Sequence, residues 1–289
     1  MVIDLKKRLT ISAVLNFVIT AAEVVGGIIS GSLALLSDSL HNFGDSMSLT
    51  SSYIALRIGE REKNEKYTFG YRRAEILVAF INSSAIIGVG IFLLVESYRR
   101  FMEPVEIKGF IMLVVAVVGL IANLLSIILL HTHAKESMNI RSAYLHLLSD
   151  TFSSVAVVIG AVAIILWKVN WIDLVITVIL SLYIIKEGFE ILRESVEVLM
   201  EASPDLNLGK IRKEIESIEG VKNAHHFHAW RIGEKDIHFE CHIEVENMRV
   251  SDAQKIIEKI EEKLKKFGIT HTTIQVECGK CDEKSIVCK

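Results

Sequence analysis

Proline and cysteine are both scarce in this sequence, and cysteine is absent from most of it. Among 289 residues there are two prolines and four cysteines, of which the first is Cys241. Because the other three cysteines cluster at the C-terminus, the chain lacks the disulfide framework of a small secreted protein. Copper(I) prefers sulfur ligands, so a copper(I) site in the first part of the chain is also excluded.

Charged residues are sparse within the apolar runs before about Glu187 and dense after it. Hydrophobic residues make up 51% of the chain, and the mean hydropathy of +0.41 is too high for an ordinary soluble protein. The formal net charge of −3 gives no sign of a nucleic-acid-binding surface. We therefore predict an integral membrane protein, embedded in the lipid bilayer, with a soluble C-terminal part.

Six apolar runs approach or exceed the roughly 20 residues that a helix needs to cross a bilayer. They cover residues 9–29, 33–56, 74–98, 110–130, 142–167 and 171–187. The first run is long and lacks a small-residue cleavage site, so we predict a retained span rather than a signal peptide. Six crossings place both termini on one side, and the excess of Lys and Arg predicts that this side is the cytoplasm. The other side still carries Arg99, Arg100, Lys108 and Lys168.

Two of the apolar runs contain the same pattern of ionisable residues. His41 and Asp45 are four residues apart, so a helix places them on one face, with Asp38 nearby one turn earlier. His146 and Asp150 repeat this spacing in the fifth run. Ionisable residues inside membrane spans are costly and usually mark an ion pathway or a proton relay. We therefore interpret the two pairs as halves of one metal site.

Two neutral imidazoles and two carboxylates would offset the charge of a divalent ion, and this donor set suits Zn²⁺, or by extension Cd²⁺ or Co²⁺. Emptying the site would leave buried carboxylates, so exchange of metal for protons follows. The pairs could instead form interhelical hydrogen bonds that hold a bundle together. A passive divalent-cation channel and an intramembrane metallohydrolase are further alternatives, although a hydrolase needs an open coordination position that four protein ligands do not leave.

The sequence after the sixth run predicts a separate domain. A helix continues to about Glu201 and Pro204 marks a linker, which divides the chain into residues 1–200 and 201–289. Periodicity then predicts the order helix, strand, strand, helix, strand. The predicted elements cover residues 208–219, 225–232, 237–245, about 251–267 and 272–277. Ser251 and Gln254 have the spacing of a capping box at the start of the second helix.

Several segments together carry a specific resemblance. They are Ser30–Asp38 followed by His41 and Asp45, Tyr67–Glu75, His146–Asp150, His225–Trp230 and Thr273–Glu277. In these segments, and over nearly its whole length, the chain resembles the cation diffusion facilitator family, which includes zinc-efflux transporters. The resemblance implies a homodimer of six-helix subunits in the cell (inner) membrane, each with a ferredoxin-like αββαβ cytoplasmic domain. It also implies zinc–proton antiport by alternating access, and not an enzyme.

The same resemblance implies which residues bind metal. The transport site of zinc-type members corresponds here to His41, Asp45, His146 and Asp150. In the cytoplasmic domain, the ligand positions of relatives correspond to His225, His242 and Glu277, for which structural histidines on a polar strand face are the alternative.

The tail contributes a further candidate, because Cys278 and Cys281 have a C-x-x-C spacing that favours metal over a disulfide in a reducing cytosol. A loose tail with reactive thiols is the competing interpretation.

Two departures from the family pattern affect the expectations. Some relatives hold a second metal site between spans two and three, where this chain has Asn64, Tyr67 and Tyr71, so we predict no metal there. Relatives often have Asp-Pro early in span six, whereas this chain has Asp173 followed by Leu174. The start of the sixth helix therefore stays open at this point.

Overall fold

The computed structural model describes residues 2–131, 138–233, 236–279 and 285–286. Within these ranges the side chains are described from residue 16 onward, except at 49, 129–131 and 138–146. The chain divides into two compact units, one formed by Met1–Ser51 with Ile81–Leu192 and the other by Ser52–Phe80 with Arg193–Lys289.

Six long helices occupy the first two thirds of the chain. They are α1 (Val2–Ser30), α2 (Leu33–Gly59), α3 (Arg73–Met102), α4 (Gly109–His131), α5 (Met138–Trp167) and α6 (Trp171–Leu199). Each contains one of the predicted apolar runs, and the helix expected after the sixth run is a continuation of α6. Within the described residues, Arg73–Met102, Gly109–Ile128 and Leu147–Trp167 are long and apolar enough to cross a membrane, while α1 has a shorter apolar stretch, Asn16–Ser30.

The N-terminus of α2 is capped by a residue of another helix. The Asp173 carboxylate of α6 accepts hydrogen bonds from the amides of Leu33 at 2.9 Å and Ala34 at 3.3 Å. Ser32 supplies the local cap, since its Oγ accepts from the amide of Leu35 at 3.0 Å and donates to Asp173 at 2.5 Å. The first amides of a helix have no intrahelical acceptor, so these bonds satisfy groups that would otherwise be buried without partners.

Helix α4 packs against both α1 and α5. Small residues allow the close approach, since a Cβ added at Gly26 would lie 2.7 Å from Val115, and one added at Gly119 would lie 2.0 Å from Glu23 Oε1. A buried apolar cluster forms beside these contacts. It contains Ala34, Leu35, Ile107, Met112, Ala116, Val157, Ala161 and Ile164.

The C-terminal residues form the predicted order of elements. These are α7 (Leu208–Glu216), β1 (Val221–Arg231), β2 (Ile237–Val245), α8 (Val250–Lys265) and β3 (Ile269–Glu277). The sheet order is β1-β2-β3, with β1 antiparallel and β3 parallel to β2. The predicted alternation in β2 is confirmed, because Phe239, Cys241 and Ile243 are fully buried. They pack with Ile211 of α7 and Ile260 of α8 in one core.

Several details of this domain differ from the sequence-based expectation. Strand β1 begins four residues earlier and β3 three residues earlier than expected. The capping box was wrong, because the N-cap of α8 is Arg249 and Ser251 lies inside the helix. The backbone closes the first turn there, since the amides of Asp252 and Ala253 bond to the carbonyl of Arg249. Helix α7 ends at Glu216, three residues before the expected end, and Gly220 adopts a φ of 97° in the turn that leads to β1.

Candidate metal centres

The structure brings three of the four predicted intramembrane ligands together. His41 Nε2 lies 3.7 Å from Asp45 Oδ2, one turn along α2, and 3.9 Å from Asp150 Oδ1 of α5. Donor atoms of the three residues all lie within 4.8 Å of one another. Ligand atoms around a tetrahedral zinc lie about 3.4 Å apart, given bonds of about 2.0–2.2 Å. The two distances from His41 exceed this value by about 0.5 Å or less, so small side-chain shifts would bring His41 to the spacing of a shared ion with each carboxylate.

The fourth predicted ligand is placed only at the level of the backbone. His146 belongs to α5 and precedes Asp150 by one helical turn, but its side chain lies outside the described residues. Residues four apart share a helix face, so the backbone is consistent with a fourth donor on the same side of α5.

Asp38, the third ionisable residue of the α2 pattern, fastens α2 to α5. Its carboxylate accepts hydrogen bonds from Ser153 Oγ and, at 3.1 Å, from Ser154 Oγ. Ser154 Oγ also accepts a bond from Asn123 Nδ2 of α4 at 3.2 Å. Asp38 thus holds α2 and α5 in register one turn from His41.

A buried Glu23–Asn42 pair was not foreseen from the sequence as part of this region. Glu23 of α1 is only 1% exposed, and its Oε2 accepts a hydrogen bond from Asn42 Nδ2 at 3.3 Å. Asn42 directly follows His41 in α2, so this bond connects the turn that contains His41 to α1. The signal available in the sequence was a glutamate inside an apolar run, which is costly unless it has a local function.

The second predicted cluster also assembles, in the C-terminal domain. Glu277, the last residue of β3, contacts one histidine on each of the other two strands. Its Oε1 lies 2.9 Å from His242 Nδ1 on β2, and its Oε2 lies 3.4 Å from His225 Nε2 on β1. Donor atoms of these three residues also lie within 4.8 Å of one another. Two imidazoles and a carboxylate at this spacing fit a zinc or cobalt ion with one further ligand.

The orientation of His225 is set by its neighbours on β1. Asn223 Nδ2 lies 3.2 Å from His225 Nδ1, which leaves Nε2 directed at Glu277. Burial lowers the pKa of His225, while the Glu277 charge acts in the opposite direction. A β-bulge follows, in which His226 adopts a φ of 54° and stacks on His242 at 4.3 Å between ring centroids. A lowered pKa favours the neutral form of His225, which is the form that binds metal.

The remaining predicted residues are less fully placed. Cys278 is exposed and directly follows Glu277, whereas Cys281 lies outside the described residues. In the segment between α2 and α3, Asn64 Nδ2 donates to Tyr71 Oη at 3.0 Å, and Asn64 Oδ1 accepts from the amide of Tyr67 at 2.9 Å. The Asn64 side chain thus closes a local turn, and the Tyr67 and Tyr71 ring centroids lie 4.6 Å apart in it.

Comparison with protein families covers both parts of the chain. A family model described as the cation efflux transmembrane domain matches residues 9–200, and one described as the cation efflux protein cytoplasmic domain matches residues 203–278. The chain belongs to the cation efflux family. These proteins are the cation diffusion facilitators, which confirms the resemblance seen in the sequence.

Curated relatives of this cation efflux protein match over nearly their whole length. A cadmium, cobalt and zinc/H(+)-K(+) antiporter of Bacillus subtilis is 36% identical, over 94% of this chain and 89% of the relative. The metal cation efflux system protein CzcD of Cupriavidus metallidurans is 36% identical, over 96% and 88%. The zinc transporter ZitB of Pectobacterium atrosepticum is 36% identical, over 96% and 87%. The chain is therefore a multi-pass membrane transporter and not an enzyme, which removes the metallohydrolase alternative.

Proposed function

We propose that this cation efflux protein exports Zn²⁺ from the cytoplasm in exchange for protons, with Cd²⁺ and Co²⁺ as further substrates. The observation that carries the proposal is the approach of His41, Asp45 and Asp150 donor atoms to within 4.8 Å of one another. The name of the Bacillus subtilis relative includes cadmium, cobalt and zinc, and that of the Pectobacterium atrosepticum relative includes zinc, which supports the choice of metals.

The chemistry of these four side chains favours exchange of the metal ion for protons. With His146 as the fourth ligand, two neutral imidazoles and two carboxylates would offset the charge of one divalent ion. Metal binding requires deprotonated ligands, so protons entering from a more acidic exterior compete for the same atoms and release the ion. Protonation also neutralises the buried carboxylates of Asp45 and Asp150, which would otherwise be costly after the metal leaves.

We also propose how the helices, the termini and the two domains are arranged relative to the membrane. All six helices α1–α6 cross the cell (inner) membrane, both termini lie in the cytoplasm, and two subunits form a homodimer that works by alternating access. Residues 1–200 form the transport domain and residues 201–289 form a ferredoxin-like cytoplasmic domain. The excess of Lys and Arg on the side of the termini supports this orientation, and the cytoplasmic-domain match at residues 203–278 supports the division.

We also propose that the cytoplasmic domain binds zinc through His225, His242 and Glu277, with Cys278 or Cys281 as a further ligand. The contacts of 2.9 and 3.4 Å between Glu277 and the two histidines support this site. Occupation of the site would draw the two cytoplasmic domains of the dimer together and so bias the arrangement of the membrane helices.

The test of transport uses purified protein in liposomes with an imposed pH gradient and a zinc-sensitive dye. Asp150→Asn keeps the size of the side chain but removes a charged donor, so we expect zinc flux to fall at least tenfold. Glu96→Gln is the matched control, because Glu96 is a carboxylate of the same bundle that pairs with Arg99 and Arg100. Native flux in Asp150→Asn would contradict the proposed site. Zinc flux that does not respond to the pH gradient would instead favour a passive divalent-cation channel.

The cytoplasmic site is tested separately by isothermal titration of zinc into the full protein in detergent. Glu277→Gln should remove one class of binding sites while zinc transport remains measurable. Glu240→Gln is the control, since Glu240 lies on the same face of β2 as His242 but is not part of the cluster. An unchanged number of zinc ions bound to Glu277→Gln would overturn this assignment.

A further inference from the structure

Helices α3 and α6 form a groove that the transport mechanism does not use. Its apolar part has a volume of about 410 Å³. Ser97 Oγ donates to the carbonyl of Leu174 at 3.4 Å, which joins the two helices beneath the groove. Its walls are large apolar side chains. They include Leu94, Tyr98 and Phe101 of α3 and Trp171, Val175 and Ile179 of α6.

A second cavity of about 350 Å³ continues this groove, because it shares Phe101, Trp171 and Leu174 with it. We call this second cavity the mouth of the groove. It lies where α3 ends and α6 begins. Two cationic side chains, Arg100 and Lys168, line it, and none of its described lining residues is acidic. The mouth therefore has an excess of positive charge directly beside an apolar slot.

The two cations differ in their partners. Arg100 Nε lies 3.1 Å from Glu96 Oε1, so part of its charge is already balanced. Lys168 is exposed and forms no ion pair with any residue that the structure describes. Both belong to the basic residues that the sequence places on the non-cytoplasmic side, against the usual bias towards the cytoplasm. An anionic ligand at the mouth would account for their position.

We propose that this α3–α6 groove binds an anionic phospholipid of the non-cytoplasmic leaflet. The lipid phosphate lies between Lys168 and Arg100, and one acyl chain follows the apolar slot towards Ile179. Only an amphiphile matches both features, an apolar channel along two helices and a cationic opening at the depth of the head groups. Trp171 lies where the two parts meet, a position at which tryptophan is favoured in membrane interfaces.

The inference rests on the proposed function only in placing α3 and α6 in the membrane, and it does not depend on the metal site. Trp171 provides the probe, because replacing the other two tryptophans by Trp167→Phe and Trp230→Phe leaves it as the only one. The protein in this background is reconstituted into liposomes that contain brominated phosphatidylglycerol or brominated phosphatidylcholine. Bromine quenches tryptophan fluorescence on contact, so the quenching reports which lipid occupies the groove.

We expect phosphatidylglycerol to be preferred over phosphatidylcholine by about fivefold for each cation involved, because one Lys or Arg near an anionic surface contributes about a factor of five in affinity. Lys168→Gln should lower this preference about fivefold. Lys108→Gln is the matched control, since Lys108 is an exposed cation on the same side that does not line the groove, and it should leave the preference unchanged.

Equal quenching by the two lipids, or equal effects of Lys168→Gln and Lys108→Gln, would overturn the proposal. Quenching that falls as the protein-to-lipid ratio rises would show that a second copy covers the groove, which would overturn it as well. Measurement of zinc transport on the same liposomes separates the two proposals, because loss of transport activity through the metal site leaves lipid selectivity intact.

Discussion

Replacement of Asp173 by Ala should destabilise the helical bundle strongly. The substitution removes three hydrogen bonds to the N-terminus of α2, from the amides of Leu33 and Ala34 and from Ser32 Oγ. All of these groups are buried, so they would lose their acceptor without gaining water. Loss of charge-assisted bonds of this kind, together with a favourable interaction at a helix N-terminus, should cost about 4 kcal/mol.

Two further variants should destabilise the bundle by smaller amounts. Asp173→Asn retains one acceptor oxygen and the size of the side chain, so the expected loss is about 2 kcal/mol. Ser32→Ala removes the local cap of Leu35 and one bond to Asp173, which should cost about 1 kcal/mol. The expected order of destabilisation is therefore Asp173→Ala, then Asp173→Asn, then Ser32→Ala.

The assay is unfolding of purified protein by sodium dodecyl sulfate in mixed micelles, followed by tryptophan fluorescence. Asp205→Ala is the control, since it removes an aspartate from the segment after α6, beyond the bundle. If Asp173→Ala and Asp205→Ala unfold at the same detergent fraction, capping of α2 from α6 is not what stabilises this end of the bundle. The reasoning about unsatisfied amides would then be refuted.

Three further predictions follow from contacts elsewhere in the chain. In the same detergent assay, Gly119→Ala should lower the free energy of unfolding by about 2 kcal/mol, because its Cβ would meet Glu23 Oε1 at 2.0 Å. Gly88→Ala should be neutral, because the added Cβ has no neighbour within 4 Å. Equal effects of the two substitutions would contradict the packing argument. Lys263 lowers the pKa of Glu214 by a hydrogen bond of 2.8 Å, so this pair contributes to stability above the unfolded pKa of Glu214, and the contribution disappears as the pH falls through the lower folded value. Carbon-13 titration should show the Glu214 pKa rising in Lys263→Met but not in Lys255→Met. Finally, maleimide at pH 8 should label Cys278 and leave Cys241 unmodified until the protein is denatured, because burial raises the pKa of Cys241 to about 12; rapid labelling of Cys241 in the native protein, measured by mass spectrometry, would disprove it.

The positions of the long helices and of β2 could be predicted because their signals are local. A run of apolar residues such as 110–130 specifies a helix of membrane length whatever its neighbours are. In β2, the alternation of Phe239, Cys241 and Ile243 with polar residues specifies a half-buried strand. The spacing of His41 and Asp45 likewise places both on one helix face without knowledge of the remaining chain.

Other features depended on partners distant in the sequence. The Ser251 capping box has the correct spacing but is not formed, because the backbone closes the first turn of α8 at Arg249. The sequence shows an aspartate at position 173 but not that it accepts the first amides of α2. Asp38 is also an aspartate of α2, like Asp45, yet it binds Ser153 and Ser154 and is not part of the group formed by His41, Asp45 and Asp150.

The sequence by itself determined that this is a membrane protein of the cation efflux family with paired imidazole–carboxylate motifs, because hydropathy and residue spacing act within single helices. Only the tertiary structure decided that Asp150 of α5 comes within 3.9 Å of His41 of α2, and that Glu277 reaches two histidines on other strands. Distances of this kind depend on how separate elements pack, and packing is set by contacts between residues far apart in the chain.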